Sequence, residues 1–132
     1  MEPRADDHED EDEPHVDEEI LSELFDLLDD GTPDGLSRVC DLFLVGVSKA
    51  LADVRLALAE SRLPDAGRVA HTLRGTAGAF GAARLGRLAA RLEEACGRSV
   101  GAPLGGLVDE MEAEFAAFRT ILIPRLAGSR PG

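Results

Sequence analysis

The chain has 132 residues, five Phe, no Trp or Tyr, and a formal net charge of −12. Its length favours one domain with a core of useful size. No run of about 18 apolar residues and no apolar signal region occurs, which leaves a soluble, cytoplasmic protein as the expectation. The charge is segregated. Residues 1–30 hold fifteen Asp and Glu against one Arg, a net of −14, and residues 31–132 hold eleven acids against thirteen Lys and Arg, a net of +2. That division argues against a wholly acidic nucleic-acid mimic, and the body has no basic patch with interleaved aromatics to bind nucleic acid.

In chain order, residues 1–14 form an acidic block almost without apolar side chains, expected to be a disordered tail. His8 there, and His15 just after, could hold a divalent cation weakly, but no ligand spacing is fixed on a rigid element. Asp17 is placed to cap a first, short helix with Glu18 and Glu19 in its opening turn. Ile20, Leu21, Leu24, Phe25 and Leu28 give that helix one apolar stripe. "GTPDG" (31–35) reads as a turn.

A long helix follows from about Leu36 to Arg62, with Leu36, Val39, Cys40, Phe43, Val47, Leu51, Val54 and Leu58 at bundle spacing. Pro64 suits the first turn of a third helix that ends near Gly81. The fourth runs from about Ala82 to Arg98 with Leu85, Leu88, Ala89, Leu92 and Cys96 inward. "SVGAPLGG" (99–106) is a loop. The last helix presents Leu104, Leu107, Val108, Met111, Phe115, Phe118 and Leu122, and Pro124 should limit its far end. Cys40 and Cys96 make no C-x-x-C and fall at apolar positions, so free buried thiols are expected. The fold class that follows is all-α: an antiparallel, up-down-up-down four-helix bundle over residues 15–127 with an additional short N-terminal helix. Residues 128–132 should be a disordered end.

The third helix contains an anomaly. His71 is surrounded in sequence by Gly67, Gly75 and Gly78, each costing about 1 kcal/mol of helix propensity relative to Ala. On a helical wheel these glycines, with Arg68 and Arg74, fall within about 60° of His71. Leu73, Ala77 and Phe80 fall on the other side, toward the core. Glycines used for internal packing would sit with Leu73. On the histidine face they clear space instead, so that a partner can approach the imidazole closely. Arg68 and Arg74 add charge suited to an anionic group. An exposed imidazole in a cleared, cationic patch is a candidate nucleophile for phosphoryl groups.

The stretch "AHTLRGTAGAFGAARLGRLAARLEEA" (70–95) resembles the histidine-containing phosphotransfer (HPt) domain of bacterial two-component phosphorelays. The family pattern, roughly H-x-L-K-G-x-x-x-x-x-G-x-x-x-L followed by a late L-E, is matched by His71, Leu73, Gly75, Gly81, Leu85, Leu92 and Glu93. The bundle extends the likeness to about residues 17–126. The resemblance implies that His71 accepts a phosphoryl group from a receiver-domain aspartate, of a hybrid kinase or response regulator, and passes it to another receiver. Arg74 stands at the family's lysine position and would offset phosphoryl charge, with altered reach. Glu93 would orient the ring from the next helix, whereas Glu94 reads as surface. Gly67, Arg68, Gly75 and Gly78 would lie under the docking receiver. Arg84, Arg87 and Arg91 could steer an acidic partner or be ordinary solvated faces.

The resemblance calls for no cofactor or metal on this chain, since Mg²⁺ would belong to the receiver. It also calls for no nucleic acid or membrane partner and no oligomer. No G-x-x-x-x-G-K-[ST] occurs, so the chain should not phosphorylate itself from ATP and is not an enzyme in its own right. Two alternatives stay open here: a phosphoacceptor domain served directly by a chemotaxis-type kinase core, and a non-catalytic receiver-binding adaptor. A chain that starts at Met1 and ends soon after its last helix favours a standalone protein over the first.

Overall fold

A computed structural model describes residues 14–29, 34–98 and 104–128. Nearly all of the expected tail (1–14), part of the 31–35 turn, much of the 99–106 loop and the end beyond residue 128 lie outside them. The described residues form five helices: α1 (Glu18–Leu28), α2 (Gly35–Ala59), α3 (Leu63–Ala79), α4 (Ala83–Arg98) and α5 (Leu104–Gly128). None is long and apolar enough to cross a membrane. Helices α2 to α5 pack as a ring, each against its neighbour in sequence, and α5 closes on α2. That is the four-helix bundle, with α1 laid on it.

The core is built from the periodic positions. Cys40, Phe43, Val47, Leu51 and Val54 of α2 meet Val108, Met111, Phe118 and Leu122 of α5, all buried. Phe43 joins two elements to the bundle axis. It stacks on Phe80 with centroids 4.1 Å apart and meets Phe118 edge-on at 5.8 Å, arrangements that favour aromatic pairs beyond area burial. Both cysteines are buried and unpaired. Burial, with Asp41 nearby, pushes the Cys40 thiol up to about 11, and burial raises that of Cys96.

The α3–α4 seam is made of small residues. Ala66, Ala70 and Ala77 of α3 and Gly86 and Ala89 of α4 are buried, and a Cβ added at Gly86 would lie 3.7 Å from that of Ala77. Small side chains let these two backbones approach closely. The closeness sets what the functional face can do.

Two helix stops share one geometry. After α3, the Ala82 N–H donates to Ala77 O at 2.9 Å and the Gly81 N–H to Gly78 O at 3.1 Å, with Gly81 at φ +72°. This Schellman ending places a left-handed residue where glycine is least strained. After α2, the Arg62 N–H donates to Ala57 O at 2.7 Å and the Ser61 N–H to Leu58 O at 3.1 Å, with Ser61 at φ +58°. The expected helix to Arg62 therefore stops three residues early, at Ala59, because a serine takes the left-handed position that glycine usually marks.

The last helix departs from expectation in the other direction, continuing through Pro124 to Gly128. Proline removes one backbone donor. The final turn is held by other contacts: Leu122 is buried before the proline, and Leu126 packs on the core after it. Arg125 also forks onto Glu18 of α1 at 2.5 and 2.8 Å, which holds the Glu18 carboxyl below its usual range.

Helix α1 starts as expected, with the Asp17 carboxylate accepting from the Ile20 N–H at 3.1 Å. Its stripe is only partly buried: Leu21 is covered, Leu24, Phe25 and Leu28 are half-buried, and Ile20 is exposed. The Asp17 N–H donates to Gly81 O at 2.7 Å. A Cβ at Gly81 would stand 3.0 Å from Asp17 O and 3.1 Å from Leu21 N. Gly81 thus both ends α3 and receives α1. Gly81→Ala should lose about 2–3 kcal/mol in urea unfolding, from left-handed strain and displacement of α1. Ser61→Gly should gain up to about 1 kcal/mol by relieving the same strain.

Candidate functional site

His71 lies midway along α3, with its side chain 59% exposed. Because the small-residue seam brings α4 close, Glu93 reaches across, and its Oε2 lies 2.8 Å from His71 Nδ1. A carboxylate oxygen only accepts, so this contact puts the ring proton on Nδ1. The neutral ring then keeps its lone pair on Nε2, at the edge away from Glu93.

Arg74, one turn along α3, places Nη2 3.3 Å from the same Nδ1. A guanidinium only donates, so it makes no hydrogen bond to a protonated Nδ1. Its pairing is with the carboxylate: Nη1 lies 3.2 Å from Glu93 Oε1, a buried oxygen that has no well-formed hydrogen bond. Glu93 thus orients the ring with one oxygen and holds Arg74 loosely with the other. Nearly half of Arg74 is exposed, which leaves it able to turn toward an anion at Nε2.

The glycines divide. Cβ atoms at Gly75 and Gly78 would meet nothing within 4 Å, so that part of the face is open space. Gly67 is different: a Cβ there would meet Cys96 Cβ at 3.3 Å. The clearance expected at Gly67 is instead close packing between α3 and α4, because the helix contact wraps onto that side of the wheel. Arg68 is exposed and turns back to Asp65, which also takes Arg62 at 2.6 Å. Asp65 is held below its usual carboxyl range by those arginines. On the opposite flank of His71, a largely apolar groove of about 440 Å³ runs between α2 and α3, with Val47, Val69 and Leu73 along it and Lys49, Asp53 and Arg68 among its polar positions.

Glu94 is exposed and pairs with Arg98 at 3.0 Å, a surface pair as expected. Arg87 and Arg91 are exposed on α4. Arg84 does not join a steering surface. It is mostly covered and faces Glu114 of α5, with Nε 3.7 Å from Oε1. Glu114 itself was not legible as a special residue, although an acid between Met111 and Phe118 in an apolar stripe is a visible signal. Its partner is His15, whose Nδ1 lies 2.7 and 2.9 Å from the two carboxylate oxygens.

The site is thus an exposed imidazole oriented by Glu93 on a bundle face that is open at Gly75 and Gly78. The model of the Hpt domain family matches residues 38–121, and the chain belongs to that family, the histidine phosphotransfer proteins of phosphorelays. Among solved structures it is similar to histidine-containing phosphotransfer protein B (HptB) from Pseudomonas aeruginosa PAO1. The TM-score is 0.80 at 26% identity, covering 89% of this chain and 98% of that one. No curated protein matches the sequence.

Proposed function

We propose that His71 is the phosphoryl-carrying residue of a phosphorelay intermediate, loaded from a receiver aspartyl phosphate and unloaded onto a second receiver aspartate. The observation that carries this reading is the 2.8 Å contact between His71 Nδ1 and Glu93 on an open helix face. In the transfer, the Nε2 lone pair attacks phosphorus, the N–P bond forms as the aspartyl O–P bond breaks, and the aspartate leaves as its carboxylate. The Nδ1 proton stays in place. The phosphorylated ring is cationic, and Glu93 offsets that charge.

Arg74 moves from Glu93 to the incoming phosphoryl oxygens, as a guanidinium favours bidentate anions. Gly75 and Gly78 admit the receiver's surface, and the apolar groove beside them takes part in the docking. Any Mg²⁺ belongs to the receiver, and the chain acts as a cytoplasmic monomer without an ATP site of its own. A buried His71 with its glycines packed on a neighbouring helix would favour a non-catalytic adaptor; the ring is instead 59% exposed beside open space at Gly75 and Gly78.

The test is to mix the chain with a receiver carrying labelled phosphoryl and follow the label. Transfer to His71 as an acid-labile, alkali-stable adduct supports the reading. Labelling only by an ATP-loaded kinase core, with receivers inert as donors, would replace it. Glu93→Ala should slow receiver transfer by about 10–100-fold while the label stays on His71, because a partner that fixes ring orientation is lost.

A further inference from the structure

The His–Glu–Arg arrangement at His71 occurs a second time, at the other end of α4. Among the described residues, Glu114 is the buried charged residue of the core, only 5% exposed. A buried carboxylate persists when hydrogen-bonded. Arg84 Nε, at 3.7 Å, is beyond hydrogen-bond range and has no other partner, so His15 is the residue that satisfies Glu114. Both carboxylate oxygens accept from His15 Nδ1, at 2.7 and 2.9 Å. That fixes the proton on Nδ1 and the lone pair of the neutral ring on Nε2, as Glu93 does for His71.

The two ring nitrogens lie on diverging edges. With Nδ1 turned in to Glu114 and the side chain 44% exposed, the edge carrying Nε2 is on the solvent side. The backbone that presents the ring is anchored: Val16, the next residue, is buried, and the Asp17 N–H is bonded to Gly81 O. The ring is therefore presented from a backbone tied to the end of α3. One feature of the His71 face is missing. His15 precedes α1, so it has no helical glycine face on which a folded domain could seat. The acids at Asp10, Glu11, Asp12 and Glu13, two to five positions upstream of it in the sequence, disfavour an acidic receiver.

We propose that His15 is a second phosphoacceptor of this chain, loaded at Nε2 by small phosphodonors and not by receivers. With phosphoramidate, the Nε2 lone pair attacks phosphorus, the N–P bond to the imidazole forms, the donor's P–N bond breaks, and ammonia leaves. The Nδ1 proton remains on the ring, and Glu114 offsets the cation that results.

The test uses the full chain and phosphoramidate, with each of the three histidines followed by peptide mass spectrometry under alkaline conditions. His8 serves as the internal reference. His15 should label at least about tenfold faster than His8, and Glu114→Gln should slow His15 by about tenfold, the scale of losing an orienting partner. Urea unfolding of the same Glu114→Gln preparation reports whether the bundle is intact. In His71→Gln the His15 adduct should persist, and in the His15→Gln, His71→Gln double variant it should vanish. Labelling of His15 no faster than His8, or a His15 rate unmoved by Glu114→Gln, would overturn the proposal. Neither outcome depends on whether receivers load His71.

Discussion

His71→Gln should abolish phosphoryl uptake from a phosphorylated receiver, by at least about 1,000-fold in rate, since in the proposed transfer no other group at the site can take over as nucleophile. The substituted side chain sits on an exposed helical position, so unfolding free energy should move by less than about 0.5 kcal/mol. That separation matters. A variant that lost uptake together with stability would report only a damaged bundle. Arg74 and Glu93 remain in His71→Gln, so retained binding to the receiver with lost transfer would place the defect in the chemical step. The two measurements are label transfer at a fixed receiver concentration and urea unfolding of the same preparation.

Phe118→Ala should cost about 3–5 kcal/mol, measured by denaturant unfolding. Phe118 is fully buried on α5 and meets the edge of Phe43. Phe43 in turn stacks on Phe80 at the α3 end. Removing the ring leaves a cavity where three elements converge, and the small side chains of the α3–α4 seam have no spare reach to refill it. The expected loss is a large share of the roughly 5–15 kcal/mol that holds a domain of this kind together. A loss below about 1 kcal/mol would mean that the core is looser than its buried rings indicate.

Much of this architecture is visible in the residues before any coordinates. The apolar periods of α2, α4 and α5, the Asp17 cap and the left-handed stop at Gly81 are local signals. Each rests on side-chain spacing or on one residue's backbone preference. The open face at Gly75 and Gly78 was legible for the same reason, because a helical wheel needs only the sequence. Features that depend on two distant segments were not. Gly67 looks identical to Gly75 on the wheel, and only the approach of Cys96 from α4 makes it a packing residue. Arg84 and Glu114 lie thirty positions apart, and His15 is paired across 99. Local rules also mislead where tertiary contacts override them. Pro124 does not end α5 because Leu126 and Arg125 hold the turn beyond it, and Ser61 accepts a conformation that its own side chain disfavours.

In the proposed transfer, Glu93 holds the proton on Nδ1 and Nε2 of His71 takes the phosphoryl group. The most direct test is to load the chain from a phosphorylated receiver and assign the N–P bond by phosphorus–nitrogen and phosphorus–proton couplings in NMR. One receiver-derived phosphoryl group, bonded to Nε2 of His71, is the result expected of that transfer. A phosphoryl group on Nδ1, or one that never leaves the receiver for His71, would contradict it.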